Sequence, residues 1–320
     1  MRLPGMNTRS SRQRPVLLAA GALTVAVLAV SSSAPLIAFA AAPALAVAFW
    51  RNGLAAAALT PITLGPRRQE LLGVRRQELL FCVLAGAALA AHFGTWMPSV
   101  QLGSVATATA LVATQPVWQG LIAAGQGRRP SRAGWVGIAL AVAGAAWATG
   151  ADVAVSSQAV LADALALAGG VFAAVYTALG ERARVRLSTT TYTWICYGTC
   201  AVLLLAVCLA ARIPLAGYDG HTWAAILAIV AGAQLLGHSM FNYALQSTSA
   251  TTVSVLILLE VPGAALLAWL WLGQTPRLAA LPGLALLVAG VAVVIIGGGI
   301  RAERTDATAS LADAADPSTR

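Results

Sequence analysis

The sequence is poor in charge and contains no lysine. Only 10% of its 320 residues are charged, and all 20 basic side chains are arginines. A chain without lysine cannot form the phosphate-binding loop of a P-loop ATPase, because that loop requires a lysine. The arginines are spread over short connections between apolar runs, so no compact basic domain is available to bind nucleic acid. We therefore exclude an ATP-driven pump of this type and expect no nucleic-acid partner.

Residues that bind metals or catalyse reactions are also scarce. The four cysteines all lie inside apolar runs: Cys82, Cys196, Cys200 and Cys208. They show no metal-ligand spacing with histidine, so we expect packing residues, no metal and no other cofactor. His238 and Ser239 are adjacent, and neighbours on a helix diverge by about 100°. They cannot act as base and nucleophile, and no paired carboxylates are present. These absences disfavour an enzyme.

Long apolar runs dominate what is present. The chain is 59% hydrophobic with a mean hydropathy of +0.79, and runs of spanning length recur throughout. About 20 apolar residues cross a bilayer as a helix, which satisfies the backbone without water. We predict an all-α integral membrane protein with ten transmembrane helices. They cover residues 16–38, 43–64, 78–100, 104–125, 133–150, 159–180, 191–211, 222–245, 249–272 and 278–299.

The second half of the chain repeats the first at an offset of 146 residues. Matching pairs are His92 with His238, Pro116 with Pro262, Gly137 with Gly283 and Gly144 with Gly290. The glycines of each last helix are seven residues apart, nearly two turns, and so form one small face for close helix packing. A repeated, polytopic membrane protein is most often a secondary transporter, whose halves move about a shared site.

The arginines predict the orientation. With ten helices, 17 of the 20 lie on one side of the membrane, Arg212 and Arg277 lie on the other, and Arg51 lies within the second helix. The excess of positive charge marks the cytoplasmic side, which places both termini there. Five helices in each half mean that the second half begins from the opposite side. We therefore predict two inverted five-helix repeats in the cell membrane.

The domain boundaries follow from the repeat. We expect a cytoplasmic segment over residues 1–15, repeats over 16–150 and 151–299, and a disordered cytoplasmic tail over 300–320. The residues Ala38 to Ala40 resemble a signal-peptidase site, so cleavage of the first helix is an alternative. We favour a retained helix, because its removal would break the pairing of the halves.

Two segments carry a resemblance to a known family. They are SVATATALVATQPVW, from Ser104 to Trp118, and LEVPGAALLAWLWLG, from Leu259 to Gly273. The sequence resembles the EamA type of the drug/metabolite transporter superfamily, whose ninth helix contains Glu-Pro; here Val261 separates the two residues. The resemblance implies ten helices from a duplicated five-helix unit. It also implies movement of small metabolites, amino acids or drugs, often outward and without ATP.

Two charged residues are candidates for substrate binding or coupling. Glu260 lies in an apolar stretch, where a charge costs about 3 kcal/mol or more, so it should face a cavity or be neutralised. It is a candidate proton or amine site. The alternatives are a protonated carboxyl bonded inside the bundle, or a residue at a helix end if the span is shifted. Arg51 could hold a substrate carboxylate, pair with an acid, or snorkel. Its counterpart in the repeat is the uncharged Tyr197, also a candidate site residue.

Polar stripes on two repeat-related helices are further candidates. Gln234, His238 and Asn242 are four residues apart and share one helix face, and the matching face of the earlier helix contains His92 and Trp96. We expect these stripes to line a central cavity. The alternative is hydrogen bonding between helices without ligand contact.

The prolines Pro116 and Pro262 fall mid-helix in this interpretation. Each frees backbone carbonyls that can kink the helix or bind a ligand, and matched broken helices mark the transport site of inverted-repeat transporters. Thr114 and Gln115 lie beside Pro116, as Glu260 lies beside Pro262. A static kink that only serves packing is the alternative.

The sequence thus predicts a gradient-driven secondary transporter, with alternating access around a central cavity and export as the expected direction. Its predicted partners are the lipid bilayer, a small-molecule substrate and, as a candidate coupling ion, the proton. It indicates no oligomeric state. A membrane-embedded enzyme and a non-transporting membrane scaffold are the alternatives.

Overall fold

The computed structural model describes residues 8–102, 108, 111–149, 157–272, 278 and 281–296. All regular elements in these ranges are helices. The first half contains α1 (Thr8–Ser31), α2 (Ser33–Phe39), α3 (Ala44–Leu64), α4 (Arg68–Leu72), α5 (Arg76–Leu102), α6 (Gln115–Gly125) and α7 (Arg132–Thr149). The second half contains α8 (Ser157–Ala183), α9 (Thr189–Ala210), α10 (Gly220–Ile229), a π-helix (Val230–His238), α11 (Ser239–Ala244), α12 (Ala250–Ile257), α13 (Glu260–Leu272) and α14 (Leu281–Ile296).

Within the described ranges, six helices are long and apolar enough to cross a membrane. They are Leu18–Ile37, Ala44–Leu64, Arg76–Leu102, Val160–Ala183, Thr189–Ala210 and Gly220–Ala244. Three shorter apolar helices accompany them: Arg132–Trp147, Ala250–Gly263 and Leu281–Ile296. The long helices bury only 33–50% of their apolar windows inside the protein, which leaves the rest to contact lipid. The chain is therefore an all-α, multi-pass membrane protein.

The helix boundaries differ from the predicted spans in several places. The first span is interrupted at Ser32, and a short helix, α4, occupies the connection between the second and third spans. The ninth span consists of two helices, α12 and α13, rather than one. The predicted disordered tail, residues 1–7 of the predicted N-terminal segment, and most of the start of the fourth span lie outside the described residues.

Local capping explains where several helices begin and end. Ser188, Asp219 and Ser249 accept hydrogen bonds from backbone N–H groups three residues later, at the starts of α9, α10 and α12. Hydrogen bonds from Thr222 hold the pKa of the Asp219 carboxyl below its usual value. Gly127, two residues after the end of α6, has a φ of +81°, which allows the Arg128 N–H to bond Ala123 O at 2.9 Å.

The packing of α7 on α14 depends on the predicted glycine faces. A Cβ atom built on Gly137 would lie 2.8 Å from Gly290 O, and one on Gly144 would lie 2.6 Å from Gly283 O. The two helices therefore run antiparallel with their backbones in close contact. The repeat relates these two contacts to each other. Gly137 corresponds to Gly283 and Gly144 to Gly290, so the Gly137–Gly290 contact corresponds to the Gly144–Gly283 contact. The prediction that these glycines serve helix packing is confirmed.

The other main contacts also occur in repeat-related pairs. α3 packs on α9, and these are the second helices of the two halves. α5 packs on α8, and the related contact joins the π-helix and α11 to α1. α6 packs on α8, and the related contact joins α12 and α13 to α1. The first helix of each half thus packs against helices of the other half, and the buried centre of the bundle is shared by both.

Candidate functional site

A buried arginine lies at the centre of the bundle. Arg51, on α3, is 1% exposed, and its Nε donates a hydrogen bond of 2.8 Å to Gln234 Oε1 on the π-helix. Gln234 Nε2 in turn donates to Asn52 Oδ1 at 3.1 Å. The guanidinium carbon lies 4.2 Å from the centroid of the Phe93 ring, a cation–π contact from α5. Arg51 is therefore held by residues from three helices and both halves of the chain.

Tyr197, the counterpart of Arg51 in the repeat, contacts the same glutamine. Its hydroxyl lies 3.2 Å from Ser239 Oγ and 3.5 Å from the backbone oxygen of Gln234. π-helical winding shifts backbone bonding by one residue, and such segments often occur at functional sites. Here the Gln234 carbonyl faces both Tyr197 and Ser239. The two repeat-related positions thus meet at one point of the π-helix.

The rest of the second polar stripe continues from this point. The His238 ring is 5.6 Å from the Phe93 ring and 6.2 Å from the Tyr176 ring, measured between centroids. Asn242 Nδ2 donates a hydrogen bond of 2.6 Å to Tyr176 OH. Gln234, His238 and Asn242 therefore all face the interior, as their spacing predicts, and together they contact residues on α3, α5 and α8.

The first polar stripe is buried but points to α8. His92 Nδ1 lies 2.9 Å from Gly169 O, and its ring stacks on Trp96 at 5.7 Å. Trp96 Nε1 is buried with no hydrogen-bond partner among the described residues. Among the described ring contacts, Phe93 links the two stripes, because it contacts both His92 and His238.

The two prolines mark breaks rather than kinks. The sequence places Pro116 and Pro262 in the interiors of continuous helices, and this prediction is wrong. Pro116 is the second residue of α6 and Pro262 the third residue of α13. Each helix follows a turn, at residues 113–114 and 258–259. Proline is tolerated in a first turn, where its missing N–H is not needed. When the 146-residue offset is applied, the positions of the two breaks differ by one residue.

The residues at the break before α6 form hydrogen bonds with their sequence neighbours and with α8. Thr114 Oγ1 donates to Leu111 O at 2.6 Å and accepts from Trp118 Nε1 at 3.1 Å. Gln115 Nε2 donates to Thr177 Oγ1 on α8 at 3.2 Å. The described contacts therefore place Thr114 and Gln115 beside α8, not in the cluster around Arg51.

Glu260 is the first residue of α13 and is half-buried. A helix N-terminus favours a negative charge, which opposes the cost of placing a carboxylate in the membrane. Glu260 and Arg51 interact electrostatically, but they form no ion pair within 4.0 Å. The structure thus adds a charge of opposite sign to the surroundings of Arg51.

Sequence reasoning missed four contributors to this cluster: Asn52, Phe93, Tyr176 and Ser239. Asn52 and Phe93 lie next to Arg51 and His92 in the sequence, but neighbours on a helix point in different directions. Their role depends on side-chain directions and on the π-helix, and neither is visible as a periodic pattern. The sequence offered one signal for two of them, because Asn52 and Ser239 are polar residues next to the candidates Arg51 and His238.

The charged pairs outside the centre gather at one end of the bundle. Arg128 donates to both Glu181 oxygens, at 3.0 and 2.8 Å, and Glu181 Oε1 also accepts from Ala250 N at 3.2 Å. These hydrogen bonds raise the pKa of Arg128. Glu70 Oε1 accepts from Ser188 N at 2.6 Å. The connections after α3, α6, α8 and α11 therefore meet at the same end.

The sequence profile of the EamA-like transporter family matches residues 15–150 and 160–296, which are the two halves of the repeat. The chain belongs to the EamA-like transporter family. This protein is thus a membrane transporter of the drug/metabolite transporter superfamily, and that family consists of transporters rather than enzymes.

Structural comparison agrees on the fold. One solved crystal structure superposes on this transporter with a TM-score of 0.74, covering 87% of this chain and 96% of the other. The two sequences are 21% identical, so the likeness shows the fold alone. In a comparison with curated proteins, none matches the sequence.

Proposed function

We propose that this transporter exports small metabolites, amino acids or drugs by gradient-driven alternating access, around a central site between the two repeats. The observation that carries the proposal is the cluster around Arg51. It buries a positive charge where helices of both halves meet, as a site that opens to each side in turn requires.

We further propose ten transmembrane helices in two inverted five-helix repeats, with both termini in the cytoplasm and the cell membrane as the location. The symmetric glycine contacts between α7 and α14 support this topology. A two-fold axis that exchanges two antiparallel helices is perpendicular to them, and it lies in the membrane plane if they cross the membrane. The meeting of alternate connections at one end also supports it.

The proposed substrate-binding or coupling residues comprise the cluster and the two helix breaks. They are Glu260, Arg51, His92, Trp96, Thr114, Gln115, Gln234, His238, Asn242 and Tyr197, with Pro116 and Pro262 at the breaks. Glu260 binds a proton or a cationic group in this proposal, and its release to one side couples transport to the gradient. Interruption of both repeat-related helices supports a moving element at each break.

The test is flux through purified protein in liposomes. A broad panel of radiolabelled small molecules is loaded, and counterflow and pH-driven efflux are measured against protein-free liposomes. We expect saturable flux of at least one compound, accelerated by an imposed gradient. Absence of saturable flux for every compound, from protein shown to be folded and inserted, would overturn the proposal and leave a scaffold or an enzyme.

A further inference from the structure

We propose that Arg51 binds a carboxylate group of the transported molecule, through its two terminal guanidinium nitrogens. This inference rests on the proposed transport function and names the chemical class of its substrate. It depends on how Arg51 is bonded, on which acids are absent from its surroundings, and on the side chains beside it.

The guanidinium is held in one orientation by a chain of hydrogen bonds. Arg51 Nε bonds Gln234 Oε1, Gln234 Nε2 bonds Asn52 Oδ1, and Asn52 Nδ2 donates to Ala48 O at 2.9 Å. All three side chains are buried. A preorganised donor loses little side-chain entropy when a ligand binds, which increases affinity.

The two terminal nitrogens of Arg51, Nη1 and Nη2, are buried and have no hydrogen-bond partner among the described residues. Unpaired charged donors in a buried site carry a large desolvation cost. Arg184 shows how the same chain buries an arginine for structure alone. Arg184 is also 1% exposed, but its nitrogens bond Asn242 O, Leu187 O and Gln246 Oε1. Arg51 is therefore set up to receive an acceptor from elsewhere.

No described acid supplies that acceptor. The ion pairs of the described residues are Arg67–Glu70, Arg128–Glu181 and Arg186–Glu78, and none includes Arg51. Glu260 contributes an electrostatic interaction without reaching ion-pair distance. The acceptor that fits is a ligand anion, with Glu260 as the competing group inside the protein.

The geometry favours a carboxylate over other anions. Nε is occupied by Gln234, so a ligand meets the end of the fork, where two parallel N–H donors match the two oxygens of a carboxylate. One face of the guanidinium is covered by Phe93, which directs the ligand into the guanidinium plane. A single positive charge balances a monoanion. The nearby rings of Phe93, Tyr176 and His238 suit an apolar or aromatic body attached to that carboxylate.

The experiment measures binding to the purified full-length protein by thermal shift, with matched compounds at millimolar concentrations. Each set contains an acid, its primary amide and its amine, for example 3-phenylpropanoate, 3-phenylpropanamide and 3-phenylpropylamine, together with aliphatic sets. We expect acids to bind at least about tenfold more tightly than their amides and amines, as a charge-assisted, bidentate pair predicts.

Two variants test whether Arg51 is responsible. Arg51→Met removes the charge. Gln234→Glu retains Arg51 but gives it an internal carboxylate, and it serves if Arg51→Met does not fold. Either change should lower acid affinity at least about tenfold, since the charged pair is lost. Arg182→Gln, an exposed arginine on α8, is the matched control and should bind acids normally.

Several results would overturn the inference: equal binding of acids and amides, binding of amines alone, no binding of any acid, or unchanged acid binding by the Gln234→Glu variant. Flux of compounds that lack a carboxylate would overturn it while leaving the transport function intact. Acid binding that depends on Arg51, without flux of any compound, would instead contradict the proposed function and leave the carboxylate site standing.

Discussion

At the residue scale, two buried arginines of the transporter differ in how completely they are hydrogen-bonded. Arg184 donates hydrogen bonds to Asn242 O in α11 and to Leu187 O in the connection after α8, and burial lowers its pKa to about 10. It remains charged at neutral pH, with every nitrogen paired. Among the described residues, Arg51 is hydrogen-bonded only through Nε, and its guanidinium also packs on the Phe93 ring. This difference distinguishes an arginine that stabilises the fold from one that is available to bind a ligand.

The Arg184→Met variant should unfold more easily by about 2–4 kcal/mol, because it leaves buried acceptors without a donor. Denaturant unfolding in detergent micelles measures the change. The control is Arg182→Met, whose exposed side chain two residues earlier should alter stability by less than about 0.5 kcal/mol. Equal stability of the two variants would show that the Arg184 hydrogen bonds contribute little.

Glu260→Gln tests the coupling role of the carboxyl at the start of α13. Glutamine keeps the shape and the hydrogen-bonding capacity but cannot ionise or release a proton. We expect a folded, inserted protein that has lost transport or its response to a pH gradient, measured as efflux from liposomes at several inner and outer pH values. Glu181→Gln, which alters a carboxyl at the end of the bundle, is the control expected to keep the response. Normal pH-driven efflux by Glu260→Gln would make this residue structural.

At the element scale, the closest helix contact is the glycine face between α7 and α14. Apolar attraction between helices is weak in lipid, so close backbone approach and van der Waals packing dominate there. A Cβ on Gly290 would lie 2.7 Å from Gly137 O, and the obstructing atoms are backbone, which cannot rotate away. This pair therefore forms a rigid element shared by the two halves.

Gly144→Ala and Gly290→Ala should each destabilise the protein by about 1–3 kcal/mol, the usual cost of overpacking. Gly198→Ala, on α9, provides the comparison, because nothing lies within 4 Å of its added methyl group. It should be neutral or slightly stabilising, since alanine favours a helix over glycine. Thermal unfolding of the three variants in one detergent measures these stability differences. A Gly144→Ala variant as stable as Gly198→Ala would contradict the packing argument.

At the scale of the whole molecule, the connections divide between the two ends of the bundle. Arg128, Glu181 and Ala250 meet at one end. At the other end, Trp50 Nε1 donates to Leu215 O at 2.8 Å. This division matches the one drawn from the arginines, because connections rich in arginine gather at a single end.

Single cysteines at exposed connections should report this orientation, in a background without the four native cysteines. We expect Ser131→Cys, between α6 and α7, to react with a membrane-impermeant reagent only after the cell is permeabilised. Ala216→Cys, between α9 and α10, should react in intact cells. The reverse pattern would place the termini outside, and reaction of both positions from one side would exclude ten spans.

Composition and periodicity by themselves determined that this protein is helical, spans the membrane and consists of two related halves. Those properties follow from free-energy costs that apply to each segment separately. The costs are those of moving apolar and charged side chains between water and lipid, and of satisfying backbone hydrogen bonds in lipid. The seven-residue spacing of the glycines also predicted small faces for close helix packing. The four-residue spacing of Gln234, His238 and Asn242 predicted that these side chains share one face.

Tertiary structure alone decided which polar residues meet. Arg51 and Tyr197 reach Gln234 through a π-helix that no hydrophobic period indicates, and Phe93 joins two stripes that were expected to face one cavity directly. Pro116 and Pro262 begin new helices instead of bending old ones. Contacts between distant segments depend on side-chain directions and packing in three dimensions, and a one-dimensional pattern does not contain them.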